Sequence, residues 1–394
     1  MKILYTLTAY PPSTGGAQIH MHQLAQRLKN NNEVNVICQW NRNRTDWLLG
    51  TTLNAESQNH QYEIDEIPVW QIGITENEKK MLARWVYAYP FLQGISIEKI
   101  SHTLFSIMQQ LPVTFDIVHN CRIGREGISF ASYQLARKNS APFVLTPVHH
   151  PAWAGWFHRY YHKLYRNADA LIALTEIEKK TLAGLGVDER KIHVTGIGPI
   201  LSSNFSPNRF VNQYELADAP IILFLGQKYA YKGIATLLGA TEKVWKVFPE
   251  TRFVFLGPRT PYSVKLFKNS FDQRILEIDA VPLQEKTDAL AACTLLCVPS
   301  AQESFGGVYT EAWSLGKPVI GCDIPAVREV VNHGVDGLLV AQDGNAIADA
   351  IIQILKSPNE CARMGQKGKM KVESRFTWEK IAKKTFEVYE SLLL

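Results

Sequence analysis

The sequence predicts an α/β protein made of two doubly wound domains. Its 394 residues suit about two to three domains. Short apolar runs rich in β-branched residues alternate along most of the chain with longer amphipathic runs. Strands this apolar are buried on both faces, as in a parallel sheet with helices on each side. A polar, turn-rich stretch at 200–220 interrupts the alternation once and is interpreted as a linker.

The first half of the chain carries six candidate strands and four candidate helices. The helical signal is clearest in the third helix-like run, where Ile97, Ile100 and Leu104 keep helical spacing. The predicted strands are Lys2–Thr8, Glu33–Cys38, Phe115–His119, Pro142–Val148, Asp169–Thr175 and Lys191–Gly196. The predicted helices are Ala17–Lys29, Ser96–Leu111, Ile128–Lys138 and Glu176–Leu185.

The second half repeats this alternation, so we predict one domain over 1–205 and another over 206–376. Two doubly wound domains in sequence place a ligand cleft where the carboxyl ends of both sheets face each other. The predicted strands are Ile221–Gly226, Arg252–Gly257, Thr294–Pro299, Pro318–Cys322 and Gly337–Ala341. The predicted helices are Ile234–Val247, Gln284–Ala291, Val308–Leu315, Ala346–Leu355, Asn359–Ser374 and a last one at Trp378–Leu392.

Charge and composition exclude several functions. The net charge of +5 is too small to indicate a nucleic-acid partner, although it would let the protein rest against an anionic membrane face. None of the six cysteines forms a CxxC pair, so we expect buried free thiols. The N-terminal apolar run ends at Pro11, and no stretch approaches the ~18 apolar residues of a membrane span. We therefore expect a cytoplasmic protein, with peripheral contact with the inner face of the membrane as a further option.

A glycine pair follows the first predicted strand. Gly15 and Gly16 stand just before the first helix, where they would let the backbone approach an anion beside free N–H groups. The loop is neither a GxGxxG fingerprint nor a Walker loop, because no Lys-Ser or Lys-Thr follows. A tight structural turn is an equally good interpretation of these residues.

Two lysines follow the first strand of the second half. The segment runs Gly226-Gln227-Lys228 and reaches Lys232 four residues later. Lysines on a strand-to-helix loop can neutralise a diphosphate. Because a solvated surface lysine is commoner, this loop alone leaves both interpretations open.

An acidic and glycine-rich block follows the apolar strand that ends at Pro299. Strand, glutamate, Phe-Gly-Gly and then a helix that carries a second glutamate predict an anion pocket with a carboxylate on each side. A carboxylate one turn into that helix can accept two hydrogen bonds from a ribose diol. The block consists of Glu303, Ser304, Phe305, Gly306, Gly307, Val308, Tyr309, Thr310 and Glu311.

Two adjacent histidines, His149 and His150, follow the strand that begins near Pro142. Neighbouring side chains on an extended backbone point in different directions, so at most one of the two is expected to line a site. No third ligand stands nearby at metal spacing. A hydrogen-bonded structural histidine is the alternative for each.

Taken together, these features resemble family 4 of the retaining glycosyltransferases, the glycosyl transferases group 1, which have the GT-B fold. The resemblance covers nearly the whole chain, and the Glu303–Glu311 block with its flanks is its most specific part. The matching segments are Gly15–Gly16, Thr146–His150, Gly226 with Lys232–Gly233, Glu303–Glu311 and Ser314–Val319.

The resemblance implies transfer of a sugar, with retention, from a UDP- or GDP-sugar to a glycan, lipid-linked or small-molecule acceptor. It implies that Glu311 binds the ribose, that Glu303 contacts the donor sugar, and that the last helix, 377–394, packs back on the N-terminal domain. The candidate catalytic residues are Lys232, Glu303, His149 and His150. The candidate donor-binding residues are Gly15, Gly16, Gly226, Gln227, Lys228, Lys232, Ser304, Phe305, Gly306, Gly307, Val308 and Glu311.

Two positions depart from the family pattern. Gln227 stands where the family usually has arginine, so Lys228 or Lys232 would carry the leaving-group charge alone. Val148 stands where the loop histidine is common, which leaves both neighbouring histidines as candidates. No two aspartates are two residues apart, so the metal-binding Asp-x-Asp motif is absent and we expect neither a metal nor another cofactor.

Three other functions are weighed against transfer. A sugar-nucleotide epimerase of the same architecture would act without an acceptor. A catalytically silent nucleotide-sugar-binding partner would suit the glutamine at 227. A dinucleotide-dependent dehydrogenase is disfavoured because no GxGxxG follows any strand.

Acceptor residues are expected in the N-terminal domain. The aromatic-rich segments Met81–Gln93 and Trp153–Tyr165 are candidates for a lipid or glycan surface. An ordinary helix core is at least as good an interpretation of both.

Overall fold

The computed structural model describes residues 1–13, 15–40, 48–149, 155–216, 219–268 and 272–394. These residues form two compact units. The first comprises Met1–Gly196 together with Trp378–Leu394, and the second comprises Ile197–Thr377. The first boundary therefore lies after Gly196, whereas the sequence analysis placed it at 205/206.

The first unit is built on an eight-stranded sheet. Its strands are β1 (Lys2–Ala9), β2 (Glu33–Trp40), β3 (His60–Ile64), β4 (Ile67–Gln71), β5 (Ile117–Cys121), β6 (Phe143–Thr146), β7 (Ala170–Ala173) and β8 (Ile192–Val194). They lie in the order β3-β4-β2-β1-β5-β6-β7-β8, and all neighbours are parallel except β3 and β4. Strand β1 is buried along almost its whole length, as its apolar sequence predicts.

Eight helices within the described ranges belong to this unit. They are α1 (Gly16–Leu28), α2 (Leu48–Leu53), α3 (Glu76–Ala88), α4 (Gln93–Met108), α5 (Ile128–Lys138), α6 (Tyr161–Asn167), α7 (Glu176–Gly184) and the C-terminal α16 (Trp378–Leu393). Helix α16 packs against α1, where the rings of His20 and Trp378 lie 5.3 Å apart. The Tyr389 hydroxyl of α16 also bonds His119 in the sheet. Nowhere in the described ranges is a helix both long and apolar enough to cross a bilayer.

The second unit is built on a six-stranded, fully parallel sheet. Its strands are β9 (Ile221–Leu225), β10 (Arg252–Leu256), β11 (Ile275–Ile278), β12 (Leu295–Val298), β13 (Val319–Cys322) and β14 (Gly337–Val340), in the order β11-β10-β9-β12-β13-β14. Its helices are α8 (Pro207–Gln213), α9 (Ile234–Trp245), α10 (Pro261–Phe267), α11 (Leu283–Ala292), α12 (Gly307–Ser314), α13 (Pro325–Val330), α14 (Gly344–Lys356) and α15 (Pro358–Lys371).

The stretch at 200–220 is not a free linker. It contains α8, whose Phe210 is fully buried. The Ser206 amide donates to Asp288 Oδ1 at 2.6 Å, and Arg209 forms an ion pair with the same carboxylate at 2.7 Å. This polar segment therefore folds onto α11 of the second unit. In sequence its polar residues indicate turns, whereas in the structure Ser206 and Arg209 bond to Asp288 of α11.

Strands β3, β4 and β11 were not predicted from the sequence. The antiparallel pair β3–β4 turns at Asp65 and Glu66, whose φ values of 48° and 60° suit a tight two-residue hairpin. Strand β3 has no buried residue, so it lacks the apolar alternation that marks a half-buried strand. Strand β11 carries Glu277 in its short span and is only partly buried.

The strand order reverses once in each sheet, and ligands of open α/β sheets bind beyond the carboxyl ends of the strands at such a point. In the first unit the reversal lies between β1 and β5, and in the second between β9 and β12. The loops that follow these four strands are therefore the places to look for a site.

Candidate functional site

The reversal in the second unit brings Lys232 and Glu303 together. Lys232 ends the short 3-10 turn after β9, and Glu303 follows β12. The Lys232 Nζ atom lies 2.5 Å from Glu303 Oε1, and the two side chains are 17% and 11% exposed. Since 71 positions separate them in the chain, their contact depends on the adjacency of β9 and β12.

The loop that carries Lys232 is clamped to the end of β12. Gly233, at φ 76°, caps α9, and a Cβ atom there would lie 2.4 Å from the Pro299 carbonyl oxygen. The Gln342 Nε2 atom donates to the carbonyls of Tyr231 and Pro299 at 3.0 and 2.7 Å. Only glycine combines this backbone conformation with so close an approach. The ammonium of Lys232 is thus held over the strand ends.

The N-terminus of α12 offers an anion site beside this pair. Gly306 caps the helix at φ 81° without a side-chain hydrogen bond, and the first turn holds no acidic residue. The amides of Gly307 and Val308 belong to the first turn, whose N–H groups have no acceptor within the helix. Tyr309 ties this turn to the sheet, because its hydroxyl donates to the Val298 carbonyl at 3.0 Å. The helix end therefore presents free donors and a partial positive charge.

A second lysine–glutamate pair lies further along α12. Lys286 Nζ lies 2.8 Å from Glu311 Oε1 and also donates to the Ile200 carbonyl at 2.8 Å. The Glu311 side chain is 7% exposed, and burial raises its pKa against the opposing effects of Lys286 and the Ile200 backbone. Within the described ranges, Glu311 Oε2 is buried without a hydrogen-bond partner. A buried carboxylate with one open oxygen can accept hydrogen bonds from a ligand hydroxyl.

The other predicted residues of the second unit divide between exposed and structural positions. Gln227 is exposed, whereas Lys228 has no exposed surface and pairs with Glu277 of β11. Lys228 Nζ also donates to the Ile278 carbonyl at 2.6 Å, and burial lowers its pKa. The two predicted lysines therefore face opposite sides of the end of β9. Only Lys232 adjoins the loops after β12.

Phe305, within the Glu303–Glu311 block, differs from its neighbours in burial. Phe305 is buried and its ring contacts Phe376 edge-on, with centroids 5.3 Å apart. Ser304 is partly exposed next to it, and Gly226 lies partly exposed at the end of β9. The side chain of Phe305 is thus structural, so any ligand contact in the Phe-Gly-Gly segment would come from the backbone.

The predicted residues of the first unit lie at the ends of β1 and β6. Gly15 caps α1 without a side-chain hydrogen bond, and Gly16 begins that helix. His149 is buried beside Tyr165, and its backbone N–H donates to Glu178 Oε1 at 2.6 Å. His150 lies outside the described residues, as do the first two residues of the aromatic segment 153–165.

Two groups at the reversal of the first sheet were not predicted. Arg122 and Glu126 follow β5 and are both buried. The Arg122 guanidinium lies 4.1 Å from the ring centre of Tyr161, and Ser129 Oγ donates to Glu126 at 2.6 Å. Burial raises the pKa of Glu126. Both follow a predicted strand, as the glycine and lysine loops do, and this position was a signal that could have found them. Lys286 lacked any such signal, because it lies inside an ordinary amphipathic helix.

The cysteines and the acidic residues form no cluster in the described part of the chain. Five cysteines are buried, the sixth is partly buried, and all are free thiols. No group of three His, Cys, Asp or Glu side chains within these ranges is arranged to hold a metal ion.

Two doubly wound units, each with a glycine-capped helix at its strand reversal, define a class, the two-domain α/β proteins of the GT-B type. Residues 15–198 match the glycosyl transferase 4-like domain, and residues 219–357 match the family described as glycosyl transferases group 1. The chain belongs to the group 1 glycosyl transferases.

Individual proteins agree with this assignment. A D-inositol 3-phosphate glycosyltransferase of Xylanimonas cellulosilytica is 31% identical over 240 residues, which cover 56% of this chain and 57% of the relative. A phosphatidyl-myo-inositol mannosyltransferase of Mycobacterium leprae is 30% identical over 174 residues, 43% of this chain and 46% of the relative. The chain thus spans about half the length of the curated relatives it matches.

Similarity of fold extends over the whole chain. The crystal structure of Anabaena HepE in complex with UDP and glucose superimposes with a TM-score of 0.72 at 16% identity, and the match covers 100% of both chains. At this identity the similarity establishes the GT-B fold alone.

Proposed function

We propose that this protein is a retaining, metal-independent hexosyltransferase. It would take the sugar from a UDP- or GDP-sugar and transfer it to a glycan, a lipid-linked molecule or a small-molecule acceptor. The observation that carries the proposal is the Lys232–Glu303 pair at the strand reversal, next to the N-terminus of α12, which has no side-chain cap.

Departure of the nucleoside diphosphate is the difficult event in this reaction, because negative charge grows on the leaving phosphate. The ammonium of Lys232 and the amides of Gly307 and Val308 are the positive groups that would offset this charge. Glu303 now holds the Lys232 ammonium at 2.5 Å, so a bound diphosphate would share that lysine. Glu303 would then be free to orient a hydroxyl of the sugar.

Glu311 would hold the nucleotide by its ribose. Its Oε1 atom already accepts a hydrogen bond from Lys286, whereas Oε2 is buried and has no hydrogen-bond partner among the described residues. A ribose diol supplies the donors that this oxygen lacks. The pair Glu311–Lys286 therefore sets the nucleoside on α12 while the helix N-terminus binds the phosphates. UDP stands bound in the related HepE structure, and either UDP or GDP would satisfy this ribose contact.

The proposed metal independence rests on the same charges. Lys232 and the N-terminus of α12 would supply positive charge where other sugar transferases use a divalent ion. Retention would arise from a front-face displacement in which the leaving phosphate helps to deprotonate the acceptor. That path requires no protein nucleophile, so the role proposed for Glu303 is to orient the sugar and not to attack it.

The acceptor would bind the first unit, where His149 and His150 are both candidates to contact it. The names of two relatives include inositol 3-phosphate and phosphatidyl-myo-inositol. A phosphorylated polyol, either free or lipid-linked, is therefore the first class of acceptor to test. A lipid-linked acceptor would bring the chain to the cytoplasmic face of a membrane.

A thermal-shift panel of nucleotide sugars tests donor binding first. A donor present at 100 times its dissociation constant should add roughly 2.7 kcal/mol of stability. The same donor is then incubated with the enzyme alone and with acceptors. Sugar transfer only when acceptor is present supports the proposal. Conversion of the donor without acceptor would identify an epimerase, and binding without transfer to any acceptor would identify a silent partner.

A further inference from the structure

The first unit exposes large apolar side chains where α3 meets α4 and in the 3-10 turn Trp156–His158. Phe91 is 85% exposed, Tyr87 66% and Trp156 52%. Monomeric proteins rarely leave so many large apolar groups together in water without an interaction to explain them. We call this set the aromatic surface; it consists of Tyr87, Phe91, Leu92, Ile95, Trp156 and Phe157.

Hydrogen bonds join the two segments into one surface. Trp156 Nε1 donates to the Pro90 carbonyl at 3.0 Å, and Gln93 Nε2 donates to the Trp156 carbonyl at 2.9 Å. The Tyr89 hydroxyl donates to the Phe157 carbonyl at 2.5 Å. The rings are therefore presented by a braced backbone. Their exposure belongs to the fold and is not that of a loose loop.

Arginines border the apolar groups. The Arg159 guanidinium lies 3.3 Å from the ring centre of Trp156, and that of Arg125 lies 5.5 Å from the ring centre of Phe157. Arg84 lies 5.1 Å from the ring centre of Trp85 on α3. Within the described ranges, Arg84 and Arg159 form no ion pair, so their charges are available to an anionic partner.

The acidic residues of the same helices already have hydrogen-bond partners within the protein. Glu76 accepts from Lys79 at 2.8 Å, and Glu78 closes the capping box at the start of α3. Glu98 on α4 accepts from the Tyr160 hydroxyl at 3.2 Å. The basic residues outnumber the acidic ones, so the local charge around the aromatic surface is positive. They are Lys79, Lys80, Arg84 and Lys99 on the two helices and Arg125 and Arg159 at the border, against Glu76, Glu78 and Glu98.

We propose that the aromatic surface docks the protein on an anionic lipid bilayer. Its rings would enter the boundary between headgroups and acyl chains, and the bordering arginines would contact lipid phosphates. A protein partner would require complementary acidic and apolar groups, whereas an anionic bilayer supplies both over any area. The inference rests on the exposure and charge of this surface and does not depend on the proposed catalytic activity.

Co-sedimentation of the full chain with sucrose-loaded vesicles tests the docking. We expect binding to phosphatidylglycerol mixed with phosphatidylcholine, and weaker binding to phosphatidylcholine alone or at high salt. Phe91→Ser should weaken binding about tenfold, since an exposed phenylalanine would otherwise be buried. Arg84→Glu should weaken it about tenfold as well, because it removes one charge of roughly 1 kcal/mol and adds a repulsive one.

Two matched variants control for hydrophobicity and charge. Val264→Ser removes an exposed apolar group of the second unit, and Lys384→Glu reverses an exposed charge on α16. Both should bind vesicles as the unchanged protein does. The proposal is overturned if the unchanged protein does not bind anionic vesicles, or if the control variants lose binding as much as Phe91→Ser does. It is also overturned if Phe91→Ser converts a lipid-free dimer into a monomer in sedimentation velocity, since the surface would then join two copies.

Discussion

Replacing Glu311 with alanine should weaken nucleotide binding without unfolding the protein. The carboxylate is 7% exposed. Its Oε1 atom accepts a hydrogen bond from Lys286 Nζ at 2.8 Å, and its Oε2 atom has no hydrogen-bond partner among the described residues. After the change, Lys286 keeps its bond to the Ile200 carbonyl and part of its access to water. The charge left behind is therefore not stranded, and the folded state should persist.

The expected loss follows from the hydrogen bonds to the ribose. A hydrogen bond to a charged group contributes about 1.5–3 kcal/mol. Burial raises the pKa of Glu311, so part of this free energy is needed to keep the carboxylate ionised. We expect a net loss of about 1–3 kcal/mol, which weakens binding about 5- to 150-fold.

Isothermal titration with UDP and GDP measures this loss. Glu311→Gln keeps the size of the side chain and one acceptor, so its loss should be smaller than that of the alanine variant. Glu242→Ala, an exposed glutamate on α9, is the matched control and should bind like the unchanged protein. Unchanged affinity for both nucleotides in a folded Glu311→Ala variant would refute the ribose contact.

Four further outcomes are expected. Lys232→Ala should lower kcat more than it raises KM in steady-state kinetics, because its interaction grows as charge develops on the diphosphate; a change in KM alone would make it a ground-state binder. Lys228→Met should lower the free energy of unfolding by about 2 kcal/mol, since Arg259 still pairs with Glu277 at 2.7 Å, and should leave nucleotide affinity unchanged. Nucleotide affinity should fall on acidification, starting at a higher pH than for an ordinary glutamate because the pKa of Glu311 is raised, and titrations of Glu311→Gln should lack this dependence. Transfer in excess EDTA after dialysis should stay within about tenfold of the untreated rate, and a larger loss restored by Mg²⁺ or Mn²⁺ would show that a metal carries the role assigned to the lysine and the helix ends.

The features that could be predicted from sequence are local ones. The apolar runs of β9 and β12 and the glycines at 233 and 306 lie next to the loops they shape, so the loops could be found one at a time. The contact between Lys232 and Glu303 could not, because it depends on which strands are neighbours. Sequence spacing carries no information about strand order within a sheet.

Other site residues were hidden by their tertiary surroundings. Lys228 and Lys232 look alike in sequence, yet the adjacent β11 supplies Glu277 to the first and removes it from solvent. Lys286 became part of the site only because α11 packs beside α12. Burial and partners, which decide the role of a charged side chain, are set by elements distant in the chain.

In the proposed reaction, the second unit binds a nucleoside diphosphate at the reversal between β9 and β12. A crystal structure of the protein with the nucleoside diphosphate that gives the largest thermal shift tests this claim most directly. We predict the phosphates at the N-terminus of α12, within hydrogen-bond distance of the Gly307 amide and Lys232 Nζ, and the ribose diol on Glu311. A nucleotide bound elsewhere, or bound here with its ribose away from Glu311, would contradict the proposed site.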